Sequence, residues 1–141
     1  MAKKIDDLPV FQRALEFWKA VNAILDRPEL RRNRKLWDQI SEANDSITSN
    51  MREGFEQSSD DGFANFLVYA KGSVAEVVTR LQAATGKRLL SQEEFNQRAL
   101  AGEALGKMLG GFIKYLRRCG FKDRGSFSQG ASHKTTKSRT R

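Results

Sequence analysis

The chain has 141 residues, 25 Lys and Arg against 17 Asp and Glu for a formal charge of +8, and a hydrophobic fraction of 39%. That length suits one domain with a modest core. One cysteine (Cys119) and one histidine (His133) exclude an internal disulfide and the usual Cys/His zinc site, and no apolar run approaches the roughly 18 residues of a membrane span.

The opening Met1-Ala2-Lys3-Lys4-Ile5-Asp6-Asp7 is basic, then acidic, with no apolar stretch. It is expected not to be a secretory signal, and a cytoplasmic setting, which keeps a lone thiol reduced, is the reading. Phe11, Ala14, Leu15, Trp18, Val21 and Leu25 then recur at spacings of three and four. They predict a first amphipathic helix, its buried stripe widened by Phe17 and Ile24. Pro9 suits the first turn, where a missing donor costs nothing. Pro28 is expected to stop the helix, because the residue before proline avoids helical geometry.

A second helix is predicted from the cap residue Asn33, burying Leu36, Ile40, Ala43, Ile47, Met51 and Gly54. Ser58-Ser59-Asp60-Asp61-Gly62 is turn chemistry, with Ser59 or Asp60 as the cap of a third helix. That helix presents Phe63, Phe66, Leu67, Ala70, Val74, Val77, Leu81 and Ala84. Val74, Val77 and Val78 favour a strand locally, but the helical period persists on both sides of them. Gly86, with Lys87 and Arg88, is expected to close it. Ser91-Gln92-Glu93-Glu94 is a capping box that opens a fourth helix through Phe95, Leu105, Leu109, Phe112, Ile113 and Leu116. Gly102, Gly106, Gly110 and Gly111 weaken it intrinsically and invite close approach, either inside the bundle or to another subunit.

From Lys122 onward six cations stand against Asp123 alone, so this segment carries +5 of the +8. Rich in Gly, Ser, Thr, Lys and Arg, it cannot bury enough apolar surface to offset its ordering entropy. The class is therefore all-α: an antiparallel up-down-up-down four-helix bundle over residues 1–119 and a disordered basic C-terminal tail over 120–141.

Residues that carry chemistry are scarce. The Glu-x-x-His pairs of a di-iron bundle cannot be built when His133 lies in the tail. There is no phosphate-cradling or dinucleotide glycine pattern, and the serines of the body lack a histidine base. No catalytic residue, cofactor or metal is expected, so the chain reads as a non-enzyme. Polar residues do fall beside the apolar stripes: Ser46, Asn50 and Glu53 on the second predicted helix, Ser73 and Glu76 on the third. If buried they need partners, and an inter-helix hydrogen-bond network is the reading. A two-carboxylate catalytic pair of Glu53 and Glu76, or partner recognition, are its alternatives. Arg31, Arg32, Arg34 and Lys35 crowd the entry to the second helix, either as a solvated loop or as a pad for phosphate backbone. Trp37 behind them either stacks on a base or packs against the first helix or a neighbouring subunit. Lys134, Lys137, Arg139 and Arg141 in the tail supply further phosphate contacts, unless the tail merely solubilises.

Several motifs stand in a telling order. Asp7-Leu8-Pro9-Val10-Phe11-Gln12-Arg13-Ala14 is followed by Leu36, Gln39-Ile40, Ala43 and Ser46-Ile47, then by Asn50-Met51-Arg52-Glu53-Gly54 and by Phe66-Leu67-x-x-Ala70-Lys71-Gly72-Ser73-x-x-Glu76. Together they resemble the bacterial four helix bundle protein family, the 23S rRNA-intervening-sequence proteins, which includes relatives of the accessory protein of diversity-generating retroelements. The resemblance implies an antiparallel four-helix bundle assembled as a ring, commonly a homopentamer, with no cofactor and no catalysis. It also implies nucleic acid, RNA above all, or a reverse transcriptase as partner. Relatives often carry basic residues where this chain has Ser41-Glu42 and Phe55-Glu56-Gln57-Ser58. If those positions bind RNA in relatives, this chain either uses Arg31 to Lys35 and the tail instead or does not bind RNA in that way. The expectation is a non-enzymatic oligomer that binds nucleic acid through backbone contacts; the alternative is a protein-interaction scaffold or accessory subunit.

Overall fold

Two prolines frame the first element. In the computed structural model, which describes residues 4–118, a 3-10 turn at Ile5–Asp7 leads into α1 (Pro9–Leu25), with Pro9 in its first turn. Pro28 does not simply end this helix, as the sequence predicts. It opens a short helix of its own, α2 (Pro28–Arg32). At a helix start proline gives up only an amide that has no partner anyway, and the fully buried Leu30 anchors the turn to the core.

Three long helices follow: α3 (Arg34–Phe55), α4 (Asp60–Gly86) and α5 (Gln92–Arg118). Their starts are those the sequence predicts. Asn33 Oδ1 accepts from the Leu36 amide at 3.3 Å and Ser59 Oγ from the Gly62 amide at 3.0 Å. Ser91 Oγ accepts from the Glu94 amide at 3.1 Å, while Glu94 Oε1 accepts from the Ser91 amide at 3.5 Å, the reciprocal capping box. The valines of α4 remain helical, since a continuous buried stripe outweighs local β propensity. The end of α4 differs from expectation. Gly86 is still helical, and the left-handed position falls on Arg88, at φ 63°. Arg88 and Leu89 donate to the Thr85 and Ala84 carbonyls at 3.0 and 2.9 Å, the pairing that closes a helix over a left-handed residue.

The protein is all-α: among the described residues there is no strand, and four long helices pack against one another. α3 packs on α1 and α4, and α5 on α4 and α1. Facing residues run late against early: Gly54 of α3 lies on Phe63 and Phe66 of α4, and Gly102 of α5 on Val78 of α4. The centre is filled by Phe11, Val21, Ile40, Ile47, Phe63, Leu67, Leu81 and Leu109. Each such fully buried side chain contributes roughly 1.5–3 kcal/mol before conformational entropy is counted. On α1 the stripe passes through Phe17, leaving Leu15 and Trp18 only half-buried. A helix touching both α3 and α5 buries a face centred between them. No helix among the described residues is long and apolar enough to cross a membrane. Cys119, His133 and the predicted tail, 120–141, lie outside the described residues.

Candidate functional site

The predicted cationic pad is split between α2 and the first turn of α3, not carried on a loop. Its charges are partly offset. Arg31 pairs with Asp26 and Arg34 with Asp38, each at 3.4 Å. Arg32 and Lys35 are exposed and have no carboxylate partner among the described residues. Trp37 is not a free stacking platform. Its Nε1 donates to the Leu25 carbonyl at 2.8 Å, satisfying an orphan acceptor at the end of α1. The Arg31 and Arg34 guanidinium carbons lie 5.9 and 5.8 Å from its ring centroid, a cation–π arrangement that holds the pad against the ring. Lys134, Lys137, Arg139 and Arg141 lie outside the described residues.

Beside the pad, Arg27 forms a two-pronged ion pair with Glu94, one prong at 3.0 Å. It ties the start of α2 to the start of α5. The Arg27 guanidinium and the Ser91 capping groups hold the Glu94 carboxyl well below its ordinary range, at about 2. Glu94 in turn raises the Arg27 pKa.

The polar residues of α3 and α4 are only partly a buried network. Ser46 is the hub: its Oγ accepts from Asn50 Nδ2 at 2.8 Å and from Ser73 Oγ at 2.9 Å, the second bond crossing between helices. Glu53 and Glu76, predicted to belong to the same network, are exposed. Glu76 pairs with Arg80 at 3.7 Å, and Glu53 makes no ion pair with any described residue. The helical wheel explains the difference, at about 100° per residue. Met51 and Gly54 face inward, which carries Glu53 past the seam that Asn50 borders; Val77 does the same to Glu76, leaving Ser73 at the edge. The one buried polar side chain among the described residues is Asn44, with 0% exposure. It donates to the Trp18 carbonyl at 3.1 Å and to Asn22 Oδ1 at 3.2 Å. Its signal was present in the sequence: Asn44 stands four residues after Ile40 and three before Ile47, inside the apolar stripe.

The two densest motifs now have a physical reading. In Asn50-Met51-Arg52-Glu53-Gly54, Asn50 bonds Ser46, Met51 is buried, and Arg52 lies over the Phe11 ring at 4.8 Å. Gly54 is required by contact: a Cβ there would stand 2.8 Å from Phe66 Cβ and 3.2 Å from the Phe63 carbonyl. In the α4 motif Leu67 and Ala70 are buried, whereas Gly72 and Glu76 face outward, on the same side of the helix as Tyr69, which is 62% exposed. A family model for 23S rRNA-intervening sequence proteins matches residues 6–111.

The chain belongs to that family.

The match spans the pad, Ser46, Asn50, Glu53, Ser73 and Glu76, and ends before Lys114. A comparison with curated proteins finds no match. As a 23S rRNA-intervening sequence protein, the chain spends most of its motif residues on packing α3 against α1 and α4. The outward members of the two densest motifs, Arg52, Glu53, Lys71, Gly72 and Glu76, are left to the surface.

Proposed function

We propose that this protein is a non-enzymatic, up-down-up-down four-helix bundle that self-associates into a ring, such as a homopentamer, and binds RNA through backbone contacts in the bacterial cytoplasm. Membership of the 23S rRNA-intervening sequence protein family carries this reading. Arg32 and Lys35 at the entry to α3, unpaired among the described residues, supply the chemistry, with Arg31 and Arg34 beside them in exposed pairs that a phosphate can displace. The outward α3–α4 stripe of Asn50, Glu53, Tyr69 and Glu76 is the surface for self-association, because the single subunit does not bury it. A ring repeats a weak phosphate site and raises avidity without new contacts. A catalytic pair needs two carboxylates enclosed together, and Glu53 and Glu76 stand in solvent on different helices.

Filter binding of a structured RNA across a salt series tests the proposal. Affinity should fall as salt rises, and Arg32→Ala with Lys35→Ala should flatten the slope by about 0.7–0.9 per lost phosphate contact. No binding at low salt, or affinity indifferent to salt, refutes it. A protein partner that co-purifies after nuclease treatment would favour the scaffold or accessory-subunit reading, for which exposed Tyr69 is the anchor.

A further inference from the structure

α5 carries a helix-pairing seam that no other helix among the described residues covers, its contacts within the subunit being a few exposed polar ones. Positions 93, 96, 100, 103, 107, 110, 114 and 117 alternate steps of four and three, the spacing of a helix face that meets another helix. All of them except the half-buried Gly110 are exposed. Leu100, at 68% exposure, is the most exposed large hydrophobic side chain among the described residues.

The seam is polarised. Its acids, Glu93 and Glu103, lie in the first half and its cations, Lys107, Lys114 and Arg117, in the second. Turned end for end about Leu105, it complements itself. Glu93 then faces Arg117 of a second copy, Glu103 faces Lys107, and Leu100 faces Gly110. Each of these charge pairs is of opposite sign, and the apolar knob meets the one position without a side chain. Beside the seam lies an open groove of about 390 Å³ between α4 and α5, with Val74, Val78, Ala99 and Gly102 in its wall. Lys71 borders the hole: a Cβ at Gly110 would stand 3.4 Å from its Nζ. Lys71 is exposed and has no ion-pair partner among the described residues, so it can swing to the incoming Glu103.

From this self-complementary charge and shape we infer that α5 is a two-fold, antiparallel self-association surface whose occupant is a second copy of this chain. The contact is isologous, so it closes on itself. It therefore joins two subunits, or two rings, and is separate from any ring-forming contact and from RNA binding. Within one subunit Lys107 reaches Glu103 at 3.7 Å, and Arg117 donates to Asn65 Oδ1 at 3.1 Å. These weak exposed contacts exchange for the intersubunit ones, and salt screens the result.

Native mass spectrometry and sedimentation velocity of the full chain, nuclease-treated, over a concentration series at low and high salt, test this. Wild type should reach twice the subunit number of Leu100→Gln, whatever that number is. Glu103→Lys, which sets Lys against Lys across the axis, should halve the assembly in the same way. Glu103→Lys combined with Lys107→Glu should restore it, since the reciprocal pairs return with swapped signs. High salt should move wild type toward the smaller species. Equal subunit numbers in wild type, Leu100→Gln and Glu103→Lys overturn the inference, as does a double swap that stays at the halved number.

Discussion

Two glycines in the same kind of backbone should respond to alanine with opposite signs. Gly54 and Gly111 are both helical, so each costs roughly 1 kcal/mol relative to alanine in intrinsic propensity. At Gly111 a Cβ would find nothing within 4 Å, and Gly111→Ala should recover that amount, stabilising by about 1 kcal/mol. At Gly54 the same methyl would meet Phe66 Cβ at 2.8 Å, Phe63 Cδ1 at 2.9 Å and the Phe63 carbonyl at 3.2 Å. The Phe63 ring can turn, but the carbonyl and a Cβ move only with the α4 backbone. Overpacking of this kind costs about 1–3 kcal/mol, occasionally more. Net of propensity, Gly54→Ala should destabilise by up to about 2 kcal/mol, so the two variants should differ by about 1–3 kcal/mol. Urea unfolding measures both, at unchanged slope. A Gly54→Ala protein as stable as Gly111→Ala would show that α3 and α4 do not approach at Gly54, and the reading of that motif glycine would fail.

Three further outcomes are expected. Glu94 has a folded pKa of about 2, below the ordinary value near ~4.3 that it has when unfolded. Its stabilisation is therefore complete above the unfolded value and is lost as pH falls through the folded one. With the Arg27 and Glu94 side chains 35% and 38% exposed, screening reduces the contribution to about 1 kcal/mol. Thermal melts of wild type and Glu94→Gln should converge between about pH 4.5 and pH 2; a gap independent of pH contradicts this. Asn44→Ala should cost about 1 kcal/mol in chemical unfolding, because it leaves Asn22 Oδ1 without its donor and removes the bond to the Trp18 carbonyl, offset in part by removal of the buried, unpaired Asn44 Oδ1. A neutral result would remove Asn44 from the α1–α3 contact. Arg88→Gly should stabilise by about 0.5–1 kcal/mol in the same assay, since glycine adopts the left-handed conformation without a Cβ clash. Destabilisation would mean that the Arg88 side chain makes a contact worth more than that strain.

The long helices and their starts were legible because the forces that set them are local. Asn33, Ser59 and the Ser91–Glu94 box each satisfy amides within three residues in sequence, and the three-and-four spacing of apolar residues needs no knowledge of the partner. Family membership was legible for a related reason: the motifs at 50–54 and 66–76 are dense in residues that pack α3 on α4, and such packing admits few substitutes. What depends on distance in space was not legible. The direction in which α1 turns its stripe, through Phe17 rather than Trp18, follows from where α3 and α5 lie. Burial of Asn44 and exposure of Glu53 and Glu76 were settled by helix rotation, which a few tens of degrees decide and which no single helix can set alone. The Arg34–Asp38 pair is local, four residues apart on α3, but the pairing of Arg31 with Asp26 and the anchoring of Trp37 on Leu25 appear only once α2 folds back between α1 and α3. Sequence thus determined the class, the helix starts and the family, since each rests on neighbours a few residues apart. The tertiary structure decided which polar groups meet solvent and which meet one another, because burial belongs to pairs of helices.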